Sequence, residues 1–222
     1  MKVLLKIGIV LGLITANVHV QAQEVKDIKA KGILDKLSAK TKTYTSMSAD
    51  FEYTMKNVAE DIEESQSGSL VTQGEKYNLE IAGQKIISDG KTVWTVLDEA
   101  EEVQINDVPD ADEREDYISP TKILTLWEKG FKYKYDKSMT LNGVEVDVIN
   151  LFPEKADEQS FHTIKIYVNK DKMQVDQIDI KGKDGTDFVY TIRTFKTNEN
   201  IAENTFMFST AKNPTYDVID LR

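Results

Sequence analysis

The chain holds two histidines and no cysteine, which narrows the chemistry at once. A Ser-His-Asp relay would have to use His162, because His19 lies in an N-terminal stretch with the marks of an export signal. His162 shares its strand phase with Ile164, Ile166 and Val168, so it is expected near the end of an apolar face. No serine sits in a recognisable nucleophile turn. Without cysteine there is no thiol catalysis, thiolate metal site or disulfide framework. Carboxylates are abundant, but nothing sets two of them across a cleft as glycoside hydrolysis requires. The acidic groups at 110–113 and 184–187 lack the ordered spacing of a calcium loop and read as solvated loop acids. No cofactor, metal or enzyme activity is expected. The more informative set is aromatic and aliphatic: Trp94, Trp127 and the apolar residues that alternate along strands. Such residues can enclose an apolar ligand or simply fill a core.

These side chains need elements to position them. The first 22 residues do not supply any. Residues 1–6 form a basic segment, residues 7–18 an apolar run, and Val20-Gln21-Ala22 puts small residues at −3 and −1 of a cut before Gln23. This reads as a secretory signal peptide, too short for a membrane span. The expected division is a signal peptide over 1–22 and a single domain over 23–222, long enough for a sizeable core. With no cysteine after the apolar run, the mature chain is expected to be exported and not itself lipidated. The formal charge of −10 becomes −12 once Lys2 and Lys6 are removed. Such an acidic chain is unsuited to nucleic acid or to stable docking on an anionic membrane.

The mature chain opens with a helix whose apolar residues Val25, Ile28, Ile33, Leu34 and Leu37 fall roughly on one face; Gly32 weakens it locally. The period then changes to two. Ala49, Phe51, Tyr53 and Met55 alternate with polar residues, as do Tyr77, Leu79 and Ile81. Asp89-Gly90, Asn142-Gly143, 169–171 and Asp184-Gly185 each separate two strand-like runs, and the Asp-Gly and Asn-Gly pairs favour tight hairpins. Val103 and Ile105 suggest a further strand, and Phe206 with Phe208 a short last one. Roughly ten or eleven strands joined by tight turns predict a meandering antiparallel sheet. One helix interrupts it at 119–130, with Ser119 as cap, Pro120 in the first turn, Gly130 at the exit and Ile123, Leu124, Leu126 and Trp127 on its apolar side. The acidic stretch 98–116 ahead of it reads as a mobile, solvated loop. Two short helices are few to cover so large a sheet. Periodicity does not say whether the interior is packed or hollow.

The ordered set Ala49-Asp50-Phe51, Gly68-Ser69-Leu70, 87–94 (Ile-Ser-Asp-Gly-Lys-Thr-Val-Trp), Phe206-Met207-Phe208 and Asp217-Val218-Ile219-Asp220 resembles the LolA family, periplasmic carriers of outer-membrane lipoproteins. The resemblance spans nearly all of the mature chain. It implies an unclosed antiparallel β-barrel of about eleven strands closed by an α-helical lid. It further implies a monomer that accepts a lipoprotein's acyl chains from an inner-membrane lipoprotein-releasing ABC transporter and passes them to an outer-membrane acceptor. On this resemblance the acyl-chain cavity and lid comprise Tyr77, Leu79, Ile86, Trp94, Ile123, Leu124 and Trp127. One departure stands out. Where the family has an Arg-Pro pair associated with the lid, residues 71–76 read Val-Thr-Gln-Gly-Glu-Lys. A guanidinium latch is therefore absent, with Gln73 or Lys76 as partial substitutes, and the lid is expected to be held mainly by apolar contacts. The alternatives are a binding protein for another lipid or apolar small molecule on the same fold, a secreted hydrolase or lyase dependent on His162 or a carboxylate pair, and a structural module with a filled core.

Overall fold

The computed structural model describes residues 27–108 and 120–222, without the side chains of residues 120 and 122–124. The expected signal segment, Val25, the acidic group 110–113 and Ser119 lie outside the described residues. Helix α1 (Ile28–Thr41) is followed by β1 (Met47–Asn57), β2 (Ile62–Gln73), β3 (Lys76–Ile81), β4 (Gln84–Ser88), β5 (Thr92–Leu97) and β6 (Glu102–Asp107). A 3-10 helix (Pro120–Glu128) leads to β7 (Phe131–Leu141), β8 (Val144–Pro153), β9 (Phe161–Asn169), β10 (Gln174–Gly182), β11 (Thr186–Thr197) and β12 (Asp217–Asp220). All twelve strands form one sheet in the order β12-β6-β5-β4-β3-β2-β1-β11-β10-β9-β8-β7. Every pairing is antiparallel except that of β12 with β6. The end strands β7 and β12 do not pair, so hydrogen bonds leave the barrel unclosed.

Strand alternation assigns the residues to two faces, and α1 lies on the inner one. Its Ala30, Leu34 and Leu37 are at most 3% exposed and pack on Ile149, Leu151, Ile164 and Ile166 of β8 and β9. Ile28, expected on that face, is exposed instead. Asp27 caps the helix through Ala30 N–H (2.9 Å) and also accepts from Tyr135 N–H (2.7 Å), tying the helix start to edge strand β7. Those backbone donors hold its carboxyl below the usual range.

Three expectations need correction. Phe206 and Phe208 do not form a strand. Glu203–Phe206 is a 3-10 turn, Phe206 is fully buried, and the segment lies over the outer face of β3–β6, where Asn78 Nδ2 donates to Thr205 O. Two alternating residues are too few to separate a strand from a crossing segment. The acidic stretch is not loop from residue 98 onward: Asp98–Ala100 is a 3-10 turn and β6 begins at Glu102. The interrupting helix is 3-10, not α, and Gly130 does take the left-handed exit at φ +76°.

Bulges bend the sheet. β11 inserts Arg193 between the partners of Asp50 and Phe51, and β10 inserts Asp176 between Val175 and Gln177. Each extra residue resets the alternation. Ile192 and Phe195, three apart, thus both face inward, as do Val175 and Ile178.

Candidate functional site

The described residues cover only part of the inner face. Beside the part packed under α1 lies a cavity of about 290 Å³. Its wall is built from Met47, Ala49 and Phe51 of β1, Leu70 of β2, Leu79 and Ile81 of β3, and Leu126 of the 3-10 helix. Ile164 of β9, Val175, Ile178 and Ile180 of β10, and Tyr190, Ile192 and Phe195 of β11 complete it. Among the described lining residues Tyr190 is the one whose side chain carries a polar atom. The volume is near the lower end, ~300 Å³, of ordinary ligand pockets. It is about twice that of an engineered apolar cavity of ~150 Å³ that holds benzene. The walls suit hydrocarbon.

Two motifs meet in this wall. In the β1–β2 register Phe51 faces Gly68 and Ala49 faces Leu70. A Cβ on Gly68 would stand 2.5 Å from the Phe51 ring and 2.9 Å from Glu80 O. Only glycine lets the ring lie across β2 and form the cavity floor. The Ser88-Asp89-Gly90 turn is held by its own side chains, with Lys91 and Thr92 N–H donating to Asp89 Oδ1.

An aromatic row runs along β1 and β11 on the same face. Tyr190 packs against Phe51 (6.0 Å between centroids) and Tyr53 (5.2 Å), and Tyr53 stacks on Phe188 (5.9 Å). Burial, and then the neighbouring Tyr53, push the Tyr190 hydroxyl up to about 12, so it stays protonated at neutral pH.

The expected site residues separate into three places. Leu79 lines the cavity; Tyr77, 2% exposed, and Ile86, the cross-strand partner of Leu79, sit in the adjoining cluster on the same face. Trp94 pairs with Ile87 and packs with Val96, Val103, Phe208 and Tyr216 on the outer face, away from the cavity. Trp127 is 3% exposed within the packed half, its indole N–H donating to Ser38 Oγ at 2.9 Å. Ile123 and Leu124 lie outside the described side chains. Leu126, on the apolar side of the helix but left out of the expected cavity set, reaches the cavity, and among the described helix side chains it alone does so. The 3-10 geometry turns the helix by 120° per residue rather than 100°, which shifts its inward row. The β9–β11 wall was also missed. Its alternation is plain in the sequence, but its neighbour β1 lies more than 120 residues away.

The lid helix carries polar ties as well as apolar ones. Lys42 and Glu128 form an ion pair (2.7 Å) between the end of α1 and the end of the 3-10 helix. The Lys42 ammonium holds the Glu128 carboxyl below its usual range. In the stretch lacking Arg-Pro, Lys76 turns to Glu203, and Gln73 Oε1 is buried with no hydrogen-bond partner among the described residues. Neither stands in for a lid arginine.

His162 is corrected too. The β9–β10 register skips it at a bulge, so it is exposed while Phe161 and Thr163 are buried, and its Nδ1 lies 2.9 Å from Thr163 Oγ1. Among the described residues no group of three His, Asp or Glu could hold a metal.

Comparison with known proteins bears on this architecture. The profile of the outer membrane lipoprotein carrier protein LolA matches residues 42–209. An uncharacterized conserved protein from Thermus thermophilus superposes with a TM-score of 0.55 at 13% identity, over 86% of this chain and 99% of that one. A putative outer membrane lipoprotein-sorting protein domain from Vibrio parahaemolyticus gives 0.44 at 11% identity, over 80% and 97%. LprF from Mycobacterium bovis gives 0.48 at 13%, over 78% and 96%. No curated protein matches the chain in sequence. The family match spans the sheet from β1 to β11 with the cavity it encloses, and the chain belongs to the LolA family.

Proposed function

We propose that the protein is a periplasmic lipoprotein carrier that shields acyl chains in the apolar cavity. The observation that carries this reading is the inner face that the described residues cover only in part: a hydrocarbon-lined space of about 290 Å³ beside the Pro120–Glu128 helix. Burying each methylene contributes on the order of 0.8 kcal/mol, so a multi-acylated protein needs cover to cross an aqueous compartment. A cavity of this size takes part of one chain, so fuller loading requires the Pro120–Glu128 helix to swing outward. That movement exposes apolar surface and weakens retention, which a carrier needs for handoff. The carrier takes no cofactor and breaks no bond. Its partners are acylated lipoproteins, an inner-membrane lipoprotein-releasing ABC transporter that supplies the energy, and an outer-membrane acceptor. It acts as a monomer, a single domain exported by residues 1–22 and cut before Gln23.

Native mass spectrometry of protein purified from its own periplasm, before and after organic extraction, tests the reading. Bound acylated polypeptide is expected. Depletion in the host should strand outer-membrane lipoproteins at the inner membrane; normal sorting with no second carrier overturns the proposal. A second reading, a carrier of another lipid, is favoured by the Val-Thr-Gln-Gly-Glu-Lys stretch at 71–76. It moves ahead if the extracted mass is a free lipid.

A further inference from the structure

We propose that the Tyr190 hydroxyl is the polar anchor of the cavity, donating a hydrogen bond to the carbonyl of an ester- or amide-linked acyl chain and so setting its direction. This rests on the lipid-binding reading above. Among the described lining residues Tyr190 is the one with a polar side-chain atom, beside thirteen others that offer only carbon and sulfur. Its ring is clamped by Phe51 and Tyr53 and packs against both the α1-covered core and the cavity-side cluster. It stands on a central strand, paired with Tyr53 and Ile178, and not on the lid helix. It therefore keeps its place when the lid moves.

Among the described residues the hydroxyl makes no hydrogen bond. Water is a poor answer, because a cavity water needs two or more polar partners and the described lining side chains offer one. A bare hydrocarbon leaves the donor unmet. An acyl chain with its carbonyl fills the apolar space and supplies the acceptor. The position sets the polarity. On β1 and β11 the lining ends at Tyr190, level with Tyr53, and from there runs through Phe51 and Ile192 to Met47 and Phe195, while Ile180 of β10 and Ile164 of β9 line the cavity beyond that rung. The carbonyl sits at the Tyr53–Phe188 end and the tail runs toward Met47 and Phe195.

The test compares wild type with Tyr190→Phe by displacement of a fluorescent fatty-acid probe. The competitors are a long-chain fatty-acid methyl ester and an alkane of equal length. The ester should bind about three- to tenfold more weakly to the variant. The alkane should bind equally or more tightly. Equal loss for both, or no loss for the ester, overturns the proposal. A wild type that binds neither competitor overturns the lipid reading itself. Tyr216→Phe, which removes a hydroxyl on the outer face of the sheet, should leave both affinities unchanged, and urea unfolding confirms that each variant is folded. A synthetic triacylated lipopeptide and a diacyl phospholipid form two further arms. Weakening of either by Tyr190→Phe supports the anchor and names the source of the carbonyl; weakening of neither overturns it.

Discussion

The two halves of the inner face are made from the same kinds of residue and end in different states. Under α1, Ile149, Leu151 and Ile166 are completely buried and Trp127 closes the layer. Across β1, β2 and β3, Phe51 and Leu70 are nearly as buried, yet Leu79, Ile81 and Ile192 remain half-exposed around empty space. Both halves show apolar residues at every second position. Among the described residues what differs is the second layer: a 14-residue helix covers one half, and one edge of a nine-residue 3-10 helix reaches the other. An apolar strand face thus becomes core or ligand site according to what lies above it.

That contrast can be broken at several points. Trp127 belongs to the packed half, so Trp127→Ala should cost about 3–5 kcal/mol of stability in urea unfolding. A loss below about 1 kcal/mol would return Trp127 to the cavity side. Leu126 belongs to the hollow half, so Leu126→Asp should weaken probe binding by about a hundredfold, because an ionised carboxylate is costly in an apolar space. Stability should fall far less than for Trp127→Ala. Gly68→Val moves the Phe51 ring into the cavity, and about a tenfold loss of affinity is expected, since overpacking commonly costs about 1–3 kcal/mol. Larger apolar ligands should suffer most.

The smallest effect sits at the hinge between the halves. The exposed Lys42–Glu128 pair should contribute about 0.2–1 kcal/mol to lid closure. Because the folded Glu128 carboxyl lies below its ordinary value of 4.5, that contribution is present above this value and lost as pH falls through the folded one. Asp27, also held low, adds in the same direction. Probe release should quicken in acid, and Glu128→Gln should flatten that dependence. High salt should quicken release slightly by screening the pair, a dependence that a purely apolar lid would lack.

Sequence by itself determined the local matters. Period-two alternation marked most strands, Asn142-Gly143 and Asp89-Gly90 marked hairpins, and Gly130 marked the end of the interrupting helix. Each of these depends on backbone preferences within a few residues. Tertiary structure decided the rest. It paired β1 with β11 across more than 120 residues and bent the sheet at Arg193 and Asp176. It wound the interrupting segment as a 3-10 helix, so that Leu126 and not Trp127 meets the cavity, and it laid Phe208 on the outer face in the cluster of Trp94. A bulge turned His162 outward from the apolar phase its neighbours suggested. Alternation tells which residues share a face, but one inserted residue inverts the phase, and what covers that face depends on contacts made far along the chain.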